Sequence, residues 1–372
     1  MNQPAYPAAR EVAARVHAHF ARSASEHKSP APDQETMAAI IDAAFWASLR
    51  REEGYLPLIS LAFTAAADLP RPLIFEQPLT LASQPLTRLA AAVERPGIHL
   101  GVFREHGELR VWGATRSLPP SCFVLEVVAP GLLVIKQSRS DESGKFINVA
   151  VLQGEDIKVI DQRGVSVPEC PALVQLLTDV ESQFSSDSTV NVLIQLAVSM
   201  RAHHRGGILL VVPPLTSAWK ESILQPIAYS VIPPYSALAD LMQKDPLERP
   251  KRRWQDALVR AVEGIAGLTA VDGATVITTD YDLLAFGTKI LRRKRWPRVS
   301  QVIVTEPIEG VLPLIAEPAQ LGGTRHLSAA QFVQDQPDAI AMVASQDGRF
   351  TVFAWSPSET SVRAHRIDSL LL

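Results

Sequence analysis

Two short motifs in the C-terminal half carry the residue types from which a phosphate site can be built. Gly322-Gly323-Thr324-Arg325-His326 opens a helical pattern, and Val271-Asp272-Gly273-Ala274 opens a hairpin pattern. Glycine tolerates positive φ and lets backbone N–H groups approach a ligand closely. The first turn of a helix has N–H groups without intrahelical partners, and its dipole favours an anion. Thr324 is suited to cap the helix or to donate to a phosphate oxygen. Arg325 can grip a phosphate with two parallel hydrogen bonds, and His326 adds an imidazole. Asp272, on a tight turn with Gly273, offers a carboxylate to a ribose hydroxyl or to Mg²⁺. The same residues also satisfy a plainer account, in which Arg325 and His326 are solvated and Asp272-Gly273 serves only its own turn.

Such residues need a scaffold, and hydropathy spacing outlines one. Apolar residues at helical intervals predict helices over Pro7–Arg22 and Gln34–Arg51, with a polar, proline-containing loop, Ser23–Pro32, between them. A strand-like segment, Leu56–Phe63, and a short helix, Leu86–Val93, follow. Three hairpins come next. They are His99–Phe103 with Leu109–Trp112, Cys122–Val128 with Leu132–Lys136, and Phe146–Leu152 with Ile157–Ile160. Together they imply an antiparallel sheet. A helix over Pro171–Phe184 then leads to the polar joint Ser185-Ser186-Asp187-Ser188, where a domain boundary is expected.

The second half reads as helix Val190–His204, buried strand Gly207–Val212, and helices Ser236–Met242 and Arg252–Leu268. Strands Ala274–Thr278 and Leu283–Thr288 pair around Asp280-Tyr281-Asp282. Strand Gln301–Val304, helix Arg325–Asp335 and a final hairpin, Ala339–Ala344 with Phe350–Trp355, complete the chain. The expected class is therefore α/β for residues 186–372, with a mixed central sheet flanked by helices. Residues 1–185 form an α+β domain with antiparallel hairpins.

Composition narrows the function classes. The chain has 372 residues with 47% hydrophobic content, enough for two packed domains. Its 36 Lys and Arg against 39 Asp and Glu leave a net charge of −3, which argues against a general nucleic-acid binder. Cys122 and Cys170 lie far apart with no His/Cys cluster, which suits a reducing compartment and offers no zinc site. Met1-Asn2-Gln3-Pro4 opens without the pattern of a signal peptide, and no run approaches the roughly 20 apolar residues of a membrane span. A cytoplasmic protein without membrane partners is expected.

Asp-Gly-Ala opening a hairpin and Gly-Thr-Arg-His opening a helix resemble the nucleotide-binding domain of diadenylate cyclases, over roughly Val190 to Trp355. The lead-in Arg205-Gly206-Gly207-Ile208 belongs to the same pattern. The segments Gly322–Phe332 and Ala344–Phe350 are similar to a divergent branch, the DACNV sensor domains, whose architecture includes an N-terminal domain. The resemblance implies a site made of Asp272, Gly273, Ala274, Gly323, Thr324, Arg325 and His326. Leu327, Ser345, Gln346 and Asp347 would lie nearby. It also implies a nucleotide or cyclic dinucleotide ligand, Mg²⁺ or Mn²⁺ accompanying that nucleotide through Asp272, and a homo-oligomer of facing subunits.

Two departures bear on chemistry. The cyclases have Arg-His-Arg where this chain has Leu327 third, and a Ser-Glu-Glu element where it has Ser345-Gln346-Asp347. In-line attack on an α-phosphate needs a metal to activate the nucleophile and neutralise charge. Binding needs only the helix start, Thr324, Arg325, His326 and the hairpin wall. The leading expectation is a nucleotide sensor without confident catalytic residues. The alternatives are an active cyclase using Asp272 and a ligand-free scaffold.

Other clusters have plainer accounts. Lys289, Arg292, Arg293, Lys294, Arg295 and Arg298 surround Trp296 and read first as a solvated basic loop. The functional alternative is a flap at the pocket rim contacting phosphates or single-stranded nucleic acid, with Trp296 stacking on a base. Arg201, His203, His204 and Arg205 end a helix and complement its negative terminus.

Overall fold

The computed structural model describes residues 5–22, 31–138, 146–161, 191–249 and 251–372. The chain divides into two compact units, the first ending at Ile160 and the second spanning Asp161–Leu371. The expected joint at 185/186, the helix Pro171–Phe184 and most of the loop Ser23–Pro32 lie outside the described residues.

In the first unit, α1 (Ala9–Arg22) and α2 (Gln34–Ser48) follow the expected spacing. Asp33 caps α2, its Oδ1 accepting the Thr36 N–H at 2.7 Å, and this bond holds the Asp33 carboxyl below its ordinary range. Then come β1 (Ile59–Phe63), β2 (Leu73–Thr80), α3 (Ser83–Val93), β3 (His99–Glu105) and β4 (Glu108–Thr115). Strands β5 (Phe123–Ala129), β6 (Leu132–Ser138), β7 (Phe146–Gln153) and β8 (Asp156–Val159) finish the unit.

All three hairpins form, but the sheet is mixed rather than antiparallel. Its order is β2-β4-β3-β1-β5-β6-β7-β8, and β1 runs parallel to β3. The reason is the α3 crossover, which returns the chain to the sheet in the direction of β1. One face is covered by helices, and Val12, Ile40, Ile41, Leu61, Phe123 and Leu133 fill the space beneath. Gly101 is required there, since a Cβ would fall 1.9 Å from Trp112 Cζ2. The Trp112 indole N–H in turn donates to the Thr64 carbonyl at 2.7 Å.

The second unit contains α4 (Val192–Ala202), β9 (Gly207–Val212), β10 (Tyr229–Tyr235), α5 (Ala237–Met242) and α6 (Arg252–Leu268). The chain continues through β11 (Ala274–Thr278), β12 (Leu283–Thr288), β13 (Val302–Thr305) and β14 (Leu314–Ala316). The last elements are α7 (Pro318–Gly322), α8 (Thr324–Asp335), β15 (Ile340–Ala344), β16 (Phe350–Ser356) and β17 (Ser361–Arg366). Sheet order is β10-β12-β11-β9-β15-β16-β17-β13-β14, with β9 parallel to β11 and β17 parallel to β13. The hairpin β15–β16 is thus not final, because β17 extends it and links it to β13.

Strands β9, β11 and β15 are buried along their whole length, as strands covered on both faces must be. Separate clusters fill the two faces: Leu209, Met342 and Phe350 among the residues of one, Leu210, Phe332 and Phe353 among those of the other. No helix of the described residues is long and apolar enough to cross a membrane.

Candidate functional site

Strand register brings the two motifs to one end of the second sheet. Ala274 at the start of β11 lies opposite Ile208 of β9 and Thr288 of β12. Ala344 at the end of β15 lies opposite Gly207. Gly206, Asp272-Gly273, Lys289 and Ser345, each next to one of these paired residues, therefore leave the sheet on the same side. The start of α8 joins them through Arg325. A Cβ on Gly206 would fall 2.7 Å from Arg325 Nη1 and 3.1 Å from the Ala344 carbonyl oxygen, so the guanidinium lies against the Gly206 backbone.

The carboxylate wall depends on two glycines. Gly273 has φ +122°, and a Cβ on it would fall 2.5 Å from the Gly287 carbonyl carbon. This close approach of the two β-segments holds Asp272 at the rim, where its side chain is almost fully exposed. Lys289 Nζ sits 2.5 Å from Asp272 Oδ2. That bond, followed by the charges of Lys289 and Arg325, keeps the carboxyl below its ordinary range. Beside the turn, the half-exposed Tyr229 ring stacks on Phe286 with centroids 4.9 Å apart and planes 3° from parallel.

The helix wall differs from expectation in detail. Gly322 is not in a loop: it ends the short helix α7, and only Gly323, with φ +74°, turns the chain into α8. Gly323 is also the N-cap, and no side chain caps it; Thr324 is the first helical residue, so its hydroxyl is not a cap. The first helical bond of α8 runs from Leu327 N–H to the Gly323 carbonyl at 3.2 Å, leaving the N–H groups of Thr324, Arg325 and His326 ahead of it. Arg325 is exposed and makes no ion pair among the described residues.

His326 is placed inward. It is 1% exposed, edge-on to Phe353 at 5.9 Å, and packed so close to Gly322 that a Cβ there would fall 2.3 Å from its Cε1. Burial lowers its pKa, an effect that the Gly322 backbone beside the ring partly offsets. His326 shares the buried side of α8 with Ala329, Ala330, Phe332 and Val333. Leu327 packs against the same core.

The turn Ser345–Arg349 forms the remaining edge. Asp347 pairs with Arg349 at 3.4 Å, and Gln346 Nε2 lies 3.5 Å from the Arg205 carbonyl oxygen. Arg201 does more than complement a helix end: its Nε donates to the Gly348 carbonyl at 2.9 Å and its Nη1 to Leu371 at 2.8 Å. Sequence reading missed Gly206 and Arg201 as determinants of this edge, although the Gly206-Gly207 pair marked the place. Gly207 is equally constrained, since a Cβ would fall 2.4 Å from the Thr269 carbonyl oxygen.

A resident divalent ion fits this donor set poorly. No group of three or more metal-binding side chains gathers among the described residues. Asp272 carries an ammonium and Asp347 a guanidinium. The basic run is partly structural: Arg293 pairs with Glu221 at 2.7 Å, its N–H donates to Asp335 at 2.7 Å, and its guanidinium lies 5.0 Å from the Trp296 ring.

The first unit has a groove of about 870 Å³ along one side of α2. Its lining includes the small side chains of Ala38, Ala39 and Ala43, the Trp46 indole, and the guanidinium-bearing Arg10 and Arg50. Its volume falls within the range of small-molecule sites.

Residues 26–116 match a family model described as "Probable sensor domain DACNV". The match falls in the first unit and takes in the α2 wall of the groove. The motifs at 322–332 and 344–350 lie outside it. No curated protein matches the chain. Among solved structures, a hypothetical membrane spanning protein from Bacillus cereus is similar at 16% identity, over 49% of this chain and 69% of that one, with a TM-score of 0.26. A likeness at that level carries no structural conclusion.

Proposed function

We propose that the second unit binds a nucleotide or cyclic dinucleotide and that the first unit supplies a sensing module. The observation that carries the reading is Arg325. It stands exposed at the start of α8 and against Gly206, in no close ion pair among the described residues, and its charge reaches the Asp272 carboxylate. Phosphate oxygens would meet the Arg325 fork, the leading N–H groups of α8 and the Thr324 hydroxyl on one side. The Asp272 turn, with Lys289, would close the other. The exposed face of Tyr229 would take a base by stacking. Buried His326 would support Gly322-Gly323 from below rather than touch the ligand.

The probable sensor domain in residues 26–116 supports giving signal reception to the first unit. The groove along α2 gives a small molecule a place to act there.

Calorimetric titration of the full chain with a panel of mono-, di- and triphosphates and cyclic dinucleotides tests the reading. Saturable binding of at least one supports it, whereas a scaffold binds none. Incubation with ATP and Mn²⁺ separates sensing from synthesis. Robust cyclic di-AMP formation, abolished by Asp272→Asn, would replace the binding reading with an enzymatic one.

A further inference from the structure

Lys289 follows β12 directly and reaches the Asp272 carboxylate, placing Nζ 2.5 Å from Oδ2. Its backbone is fixed independently, because its carbonyl accepts the Leu224 N–H at 2.8 Å. Asp272 is the one carboxylate of the Val271–Ala274 turn, and Asp347, in the Ser345–Arg349 turn, is paired with Arg349. Mg²⁺ prefers near-octahedral oxygen coordination and sheds water reluctantly. Here the protein would offer it a single carboxylate, already neutralised. An ammonium is a compact charge with three N–H donors. One of them engaged on Asp272 leaves two to point at other oxygens.

From this arrangement we infer that Lys289 stands in for a divalent cation, bridging Asp272 and a ligand phosphate so that nucleotide binding needs no metal. This rests on the nucleotide-binding reading above and names the cation that neutralises the phosphate. Asp272 then acts as a positioning residue for Lys289. Arg325 supplies the second positive charge from the opposite wall.

The test titrates the full chain with ATP and, separately, with cyclic di-AMP, each in EDTA and in excess Mg²⁺. The wild-type chain should bind cyclic di-AMP with affinities within about threefold of each other in the two conditions. Lys289→Ala should lose about tenfold or more in EDTA, the value of one charge-assisted hydrogen bond, and Mg²⁺ should restore part of that loss. Lys289→Arg should keep most of the affinity. Asp272→Asn should weaken binding in EDTA by less than Lys289→Ala does, because the amide oxygen still accepts from Lys289 but without the charge that fixes it. Wild-type binding that appears only with Mg²⁺, or Lys289→Ala binding like wild type in EDTA, overturns the inference while leaving nucleotide binding intact. Failure of both ligands to bind in every condition removes the underlying reading as well.

Discussion

Gly206 is small because Arg325 lies on it: a methyl group at Gly206 would meet Nη1 at 2.7 Å. The residue also has φ +69°, which side chains rarely adopt. Gly206→Ala therefore displaces the guanidinium without altering its chemistry. Stability should drop by about 1 kcal/mol or somewhat more for the left-handed backbone. Nucleotide affinity should fall about tenfold as Arg325 is pushed from its place. Melting and titration on the same variant separate the two effects. Lost stability with unchanged affinity would mean that Arg325 does not touch the ligand.

Two other glycines should respond in opposite directions to alanine. At Gly273 the φ of +122° and the 2.5 Å approach to Gly287 leave no room, and the neighbour is backbone. Gly273→Ala should cost about 2 kcal/mol or more. Gly264 lies exposed within α6, and a Cβ there meets nothing within 4 Å. Gly264→Ala should stabilise by about 0.5 to 1 kcal/mol. Urea unfolding of both variants checks the contrast.

Stability of the second unit should weaken in mild acid. His365 is 2% exposed, its Nδ1 lies 2.6 Å from Thr305 Oγ1, and burial lowers its pKa from 6.5 to about 4. Its folded pKa is depressed, so between those values the unfolded chain holds the extra proton. Stability is then full above about pH 6.5 and falls towards about pH 4, by about 3 kcal/mol for this group alone. Buried His326 shifts the same way and adds to the slope. Urea midpoints measured across this range should decline, and less steeply in His365→Gln. A flat profile would show that His365 is not held neutral.

Cys122 should resist thiol reagents. It is buried, its Sγ lies 3.4 Å from the Phe63 carbonyl, and burial pushes its pKa up to about 12. The thiolate is the reactive form. Peptide mapping after iodoacetamide treatment should find Cys122 unmodified in the folded chain and modified after denaturation. Rapid labelling without denaturant would contradict its placement beneath the first sheet.

Much of the scaffold was legible because the central elements write their burial into the sequence. Gly207–Val212 is six residues without a polar side chain, and the Asp280–Asp282 turn separates two apolar runs. The strands missed at sheet edges are those whose sequence breaks such patterns. Pro78 interrupts β2, Pro233 and Pro234 sit in β10, and β14 is three residues long with Pro313 before it. Proline is tolerated at edges because one side of the strand needs no donor. Internal β17 was missed for another reason: Arg363 and His365 alternate with Val362 and Ala364, and a buried imidazole looks polar on the page.

The two motifs were read together as the walls of one site, but by resemblance and residue type rather than from local spacing. Their convergence depends on β9 pairing with both β11 and β15, which local spacing does not specify. The inward position of His326 was readable in principle. Counting three, four and seven residues onward reaches Ala329, Ala330 and Val333, which are buried with it. Lys289 could not be assigned to Asp272 from spacing, since the contact needs the β11–β12 register and its bulges.

The central claim is that an anion is held at the start of α8, and Arg325 is where it can be tested most directly. Calorimetry should compare the wild-type chain with Arg325→Ala, using ATP and cyclic di-AMP under identical salt. Wild type should bind at least one of them, and the variant should bind it more weakly by roughly 2 to 3 kcal/mol, a factor of about thirty or more. Equal affinities, or no binding of either ligand by the wild-type chain, would contradict the account.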